Sequence, residues 1–200
     1  PTLRRQRQMC IRDRDTAAQW YGWIYRRLAD GLPYDQIVAD IVLARGRSEG
    51  DSWDDYVQQT SSYFKDESAT DFAERPTLPH YWTRRSMKEP KDQALAFAHS
   101  FLGIRLQCAQ CHKHPYAQWT QRDFQQFSSF FENVKFGVRS EDQTAYRNLA
   151  KKVGLQVRGN QGSPVRPDVL VHAQEGQVVP WRELYIEKRK GPAKLSLLRS

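Results

Sequence analysis

From Asp15 to Phe136 the apolar positions follow a helical period. Asp15 and Thr16 are placed to cap a helix carrying Trp20, Trp23, Ile24 and Leu28 on one face, with Gly31 at its end. In "LPYDQIVADIVLARG" the residues Ile37, Val38, Ile41 and Val42 form a second apolar face, which Gly46 closes. "DSWDDYVQQTSSYF" predicts a third helix through Trp53, Tyr56, Val57 and Tyr63 or Phe64. Pro76 and Pro79 mark an irregular connection that carries His80, Tyr81, Trp82 and Met87. A fourth helix is expected from Pro90 through "KDQALAFAHSFLGIRLQCAQC", where Phe97, Phe101, Ile104, Cys108 and Cys111 recur at 4-3-4-3 spacing. That spacing puts both thiols on the apolar stripe, facing inward. Pro115 stops the run. Thr120 then opens a fifth helix, with Asp123 at the capping-box position and Phe124, Phe127, Phe130, Phe131 and Val134 as an aromatic face.

Beyond Gly137 the pattern changes. "GLQVRGNQGSPVRPDVLVHAQEGQVVPWRELYI" has short apolar runs between Gly and Pro, and the alternation of Val169 and Val171 reads as short strands or a hairpin. The expected fold class is mainly α, a helical domain over 15–136 followed by a short β-rich C-terminal appendage, or the truncated start of a further domain, over 137–200. No stretch has the ~18 consecutive apolar residues of a membrane span.

Charge changes the picture only through its location. The run "RRQRQMCIRDR", Arg4–Arg14, back-translates in frame to a transposon-derived sequencing adapter, and residues 1–14 are therefore set aside as an artefact of library preparation. They hold five arginines and one aspartate, so the formal net charge of +8 falls to +4 without them. The remaining basic residues are interspersed with Asp and Glu, the pattern of a solvated surface, and no nucleic-acid partner is expected. Cys108 and Cys111 are then the only thiols.

Those thiols stand in "LQCAQCHKHPY". Cys108-Ala-Gln-Cys111-His112 is the C-x-x-C-H pattern of c-type haem attachment. Thiols at i and i+3 can reach the two vinyl groups on one porphyrin edge, and an imidazole at i+4 can reach the iron. With this composition the pattern arises by chance roughly 0.001 times. Two other chemistries stay open. A structural zinc could use the two cysteines as half of a tetrahedron, completed by His80, His99, His172 or a carboxylate. A disulfide or redox dithiol is the third, although a helix C-terminus disfavours thiolate.

"FLGIRLQCAQCHKHPYAQWTQRDFQQFSSFFENV", with "LPYDQIVADIVLARG" and "TLPHYWTRR" upstream, resembles a planctomycete cytochrome-like family of large secreted proteins of unassigned function. The resemblance covers about Trp20 to Phe136 and implies covalent haem c on Cys108 and Cys111, with His112 as proximal iron ligand. It implies an electron-transfer or redox role in an exported, extracytoplasmic protein, partnered by a redox protein or by other domains of a longer chain of which this is a fragment. No Met follows Cys111, so the second axial ligand would be Met87, one of His80, His99, His114 and His172, or nothing. His114 is the candidate for a supporting contact beside the haem. His99 reads as a half-buried packing residue. No carboxylate pair, G-x-S-x-G, phosphate loop or H-E-x-x-H is present, so no catalytic residue is assigned.

Overall fold

In the computed structural model, residues 2–48, 50–67, 69–83, 87–116, 118–155 and 167–187 are described, the side chains of 2–15 and of Pro167 excepted. The described residues form a mainly helical chain with one small antiparallel two-stranded sheet near the C-terminus, the fold class the sequence predicts. The helices are α1 (Thr2–Ala29), α2 (Tyr34–Val42), α3 (Trp53–Ser62), α4 (Pro90–Phe101), α5 (Gln121–Ser129), α6 (Gln143–Lys152) and α7 (Pro167–Gln174); the strands are β1 (Val134–Gly137) and β2 (Glu183–Ile186).

Several local expectations change. Helix α1 does not start at Asp15 and Thr16 but runs through them, because no Gly or Pro interrupts the Arg- and Gln-rich run before them. It ends as expected at Gly31, φ 71°. Helix α4 stops at Phe101. Gly103 sits at φ 66°, and the N–H of Ile104 donates to the carbonyl of Ala98 at 3.0 Å, a Schellman closure that the apolar spacing conceals. Val169 and Val171, read as strand, lie on α7, whose buried face is Val169, Leu170 and Ala173. The run 156–166 of that stretch lies outside the described residues.

The chain divides into two compact units. The first combines residues 1–83 and 137–184. Its core joins Trp53, Tyr56 and Val57 of α3 to Val169 and Ala173 of α7 and to Val179 and Trp181. Ser61, fully buried, accepts from the Val179 N–H at 3.1 Å and from the Trp181 indole N–H at 2.9 Å. Trp23 is fully buried and donates to the carbonyl of Arg75 at 2.8 Å, while the Arg27 guanidinium stacks on its ring at 3.6 Å. Helix α3 starts on a capping box, Ser52 with Asp55, that the sequence reading passed over. A charged cluster also went unread: Glu183, its side chain wholly buried, accepts from Arg47 at 2.9 Å and lies 3.0 Å from Arg139 Nε, and Arg47 donates to Asp142 as well.

The second unit combines residues 84–136 and 185–200. Here α4 and α5 pack through aromatic rings. Phe97 lies 5.3 Å from Phe101, 5.6 Å from Phe131 and 6.2 Å from Phe127, and Trp119 lies 6.5 Å from Phe127. Thr120 and Asp123 form the capping box expected for α5. Its aromatic face is incomplete: Phe124 and Phe131 are buried, but Phe130 is 70% exposed.

Candidate functional site

Between Gly103 and α5 the chain makes one short 3-10 turn, Cys108–Gln110. With the helix already ended, the register of α4 no longer governs this stretch. Leu106 and Ala109 become the inward residues, at 1% and 0% exposure. Cys108 and Cys111 are exposed free thiols, the opposite of the inward-facing pair the spacing predicts. The turn is closed by the N–H groups of Cys111 and His112, which donate to the carbonyl of Cys108 at 3.3 Å each. The two thiols and the imidazole therefore leave one turn of backbone.

Two contacts fix the turn against the start of α5. The Gln121 amide donates to the carbonyl of Gln110 at 3.1 Å, and the His114 N–H donates to the carbonyl of Trp119 at 2.8 Å. Beyond them, Trp119, Asp123, Phe127 and Phe130 line an open cavity of about 510 Å³.

The two histidines of the turn are held in opposite senses. His112 is exposed, and its Nδ1 lies 2.7 Å from the Lys113 carbonyl oxygen. A carbonyl only accepts, so Nδ1 carries the hydrogen and Nε2 of the neutral ring keeps a lone pair, the arrangement found in metal-bound imidazoles. His114 instead accepts the Tyr116 N–H at Nδ1, 3.2 Å, which puts its hydrogen on Nε2. His112 is arranged to ligate and His114 to donate.

Family comparison covers the same ground. Residues 3–136 match the signature of PSCyt2, described as a protein of unknown function (DUF1549). The chain belongs to the PSCyt2 family. No curated protein and no solved structure matches it.

The other histidines of this PSCyt2 chain are placed elsewhere. His80, in the first unit, is half-buried; its Nε2 lies 2.8 Å from the Gln19 side-chain oxygen and its ring stacks on Phe72 at 4.6 Å. Burial first, and the charge of Arg75 second, push its pKa down to about 4. His172 lies 3.6 Å from Glu175. His99, expected to pack half-buried, is exposed on α4. Met87 is 3% exposed, a core side chain. Among the described residues no three of His, Cys, Asp and Glu gather as a closed metal site, and no helix is long and apolar enough to cross a membrane.

Proposed function

We propose that the PSCyt2 domain carries a covalent c-type haem on Cys108 and Cys111, with His112 as its axial nitrogen, and serves an electron-transfer or redox role in a protein exported from the cytoplasm. The observation that carries this reading is the turn itself, which offers two exposed thiols and one imidazole with its Nε2 lone pair free. In attachment each S–H adds across a vinyl group, sulfur bonding one carbon and the hydrogen going to the other, so the thiols must be reachable from outside. Bound, the group supplies one-electron transfer. A zinc tetrahedron would need two further ligands brought to the cysteines, whereas porphyrin attachment needs from the chain only what this turn presents.

Among the described residues no second axial side chain is arranged for ligation. His114 carries its hydrogen on Nε2, His80 is committed to Gln19 and Phe72, and Met87 is packed in the core. A haem held by this turn would take its one assigned nitrogen from His112. Its partner would be a redox protein or another domain of a longer chain.

The test is a pyridine haemochrome spectrum of the full chain expressed with periplasmic haem-attachment machinery. Haem that stays on the chain after denaturation, binds carbon monoxide when reduced, is lost with His112→Ala and is kept with Met87→Leu is the expected result. A chain that takes up one zinc and no haem, or that oxidises to a Cys108–Cys111 disulfide and rejects haem, would overturn it. So would a spectrum that survives His112→Ala.

A further inference from the structure

In the first unit, the segments after α2 and before Pro76 enclose a cavity of about 230 Å³ that contains neither the cysteines nor any histidine. Arg45, Arg47, Ser48, Gln59, Arg75 and Thr77 supply its polar lining. Among the described residues of this unit three guanidinium groups are buried, and they are not equally neutralised. Arg27, 9% exposed, has Asp40 at 3.7 Å, the Trp23 ring and three carbonyls between 2.6 and 3.1 Å. Arg47 is shared between Asp142 and Glu183. Arg75, 8% exposed, has no carboxylate. Its Nη2 donates to the carbonyls of Arg45 and Gly46 at 3.0 and 2.6 Å, and its enclosed Nε has no acceptor.

A guanidinium taken out of water without a counter-charge is costly, and carbonyl dipoles return only part of that cost. Arg75 lines the cavity, and its Nε–H is a donor that no carbonyl takes. Arg45 stands exposed at the same cavity with no ion pair, and the hydroxyls of Ser48 and Thr77 and the amide of Gln59 add donors that carry no charge. The one acid of the lining, Asp51, accepts the Ser48 N–H at 3.1 Å. Positive potential that reaches beyond the cavity is felt by His80, whose proton affinity Arg75 lowers in addition to the effect of burial.

We infer that this cavity is a binding site for a small tetrahedral oxyanion of the phosphate or sulfate type, held between the Arg75 fork and Arg45, with the hydroxyls of Ser48 and Thr77 as further donors. Its volume lies below the ~300–1,000 Å³ of sites for drug-sized ligands, which suits an inorganic anion or the anionic end of a larger molecule reaching in from solvent. The inference is independent of the haem proposal.

The experiment titrates the full chain with inorganic phosphate, sulfate and acetate at constant ionic strength made up with chloride, following heat and amide NMR shifts. Saturable shifts at residues 43–51 and 75–77, with phosphate or sulfate bound more tightly than acetate, are expected. Arg45→Gln, at an exposed side chain the fold does not need, should weaken binding by about tenfold or more. Arg75→Lys keeps a charge but loses the fork, and should weaken binding with circular dichroism unchanged. Arg26→Gln, a surface arginine of the same unit outside the cavity, should change nothing. Shifts indistinguishable from those with chloride, acetate bound as tightly as phosphate, or wild-type affinity in Arg45→Gln would overturn the assignment.

Discussion

Replacing Ser61 with Ala removes a single oxygen, yet that oxygen accepts two buried donors, the Val179 N–H and the Trp181 indole N–H. Neither donor can turn to water, since Val179 is fully buried and Trp181 is 3% exposed. Each unsatisfied buried donor costs about 1–3 kcal/mol, so Ser61→Ala is expected to destabilise the first unit by about 2–6 kcal/mol. For a chain of this size that is a fall in Tm of roughly 4–24 °C. Urea unfolding followed by tryptophan fluorescence suits the measurement, because Trp20, Trp23, Trp53, Trp82 and Trp181 all lie in the first unit and only Trp119 lies in the second. The midpoint should move with little change in slope. A loss below about 1 kcal/mol would refute the reasoning, since it would mean that the donors find another acceptor when the hydroxyl is gone.

A Cβ added at Gly46 would stand 2.6 Å from the Glu183 Cβ and 3.1 Å from the Leu184 backbone nitrogen, so Gly46→Ala should cost about 1–3 kcal/mol in the same urea assay; an unchanged midpoint would contradict the close approach. His80 titrates near pH 4 when folded against 6.5 when free, so the native state binds fewer protons and stability is present above pH 6.5 and lost as pH falls toward 4. The loss should reach about 3 kcal/mol in the unaltered chain and be absent from the curve of Tm against pH of His80→Gln. Helix α1 is anchored by Gln19, Trp23 and Arg27, so deletion of residues 1–14 should leave Tm unchanged by calorimetry; a clear fall would give that segment a tertiary role.

What the sequence makes legible is local. The α5 cap at Thr120 and Asp123, the inward pair Ile37 and Ile41 on α2, and the stop at Gly31 all follow from side chains within a few residues of one another. The C-x-x-C-H stretch is legible for the same reason, but the exposure of its thiols is not. A 4-3-4-3 spacing was carried across Gly103, and a glycine followed by an apolar residue just past a helix end is itself a stop signal. Heeding it would have freed the cysteines from the stripe and placed Leu106 and Ala109 inward. Nothing local could have brought Arg47 to Asp142 and Glu183, 95 and 136 positions further on, or set Arg75 against the carbonyls of residues 45 and 46. The strand reading of Val169 and Val171 failed because two alternating valines fit an exposed and a buried helical position equally well.

The first unit is interrupted in sequence by the second, and this sets an order of events during synthesis. Ser61 waits for Trp181, 120 residues later, before its two donors exist, so the core of α3 and α7 closes only after residue 181 has been made. The contacts of the Cys–His turn are short in range, with Gln110 meeting Gln121 and Phe97 meeting Phe131. A nascent chain ended near residue 140 already contains every residue of α4, the turn and α5. The turn that carries the thiols at 108 and 111 can thus be ordered while residues 15–83 still lack residues 137–184, and a released chain truncated after residue 140 is the species in which that order can be examined.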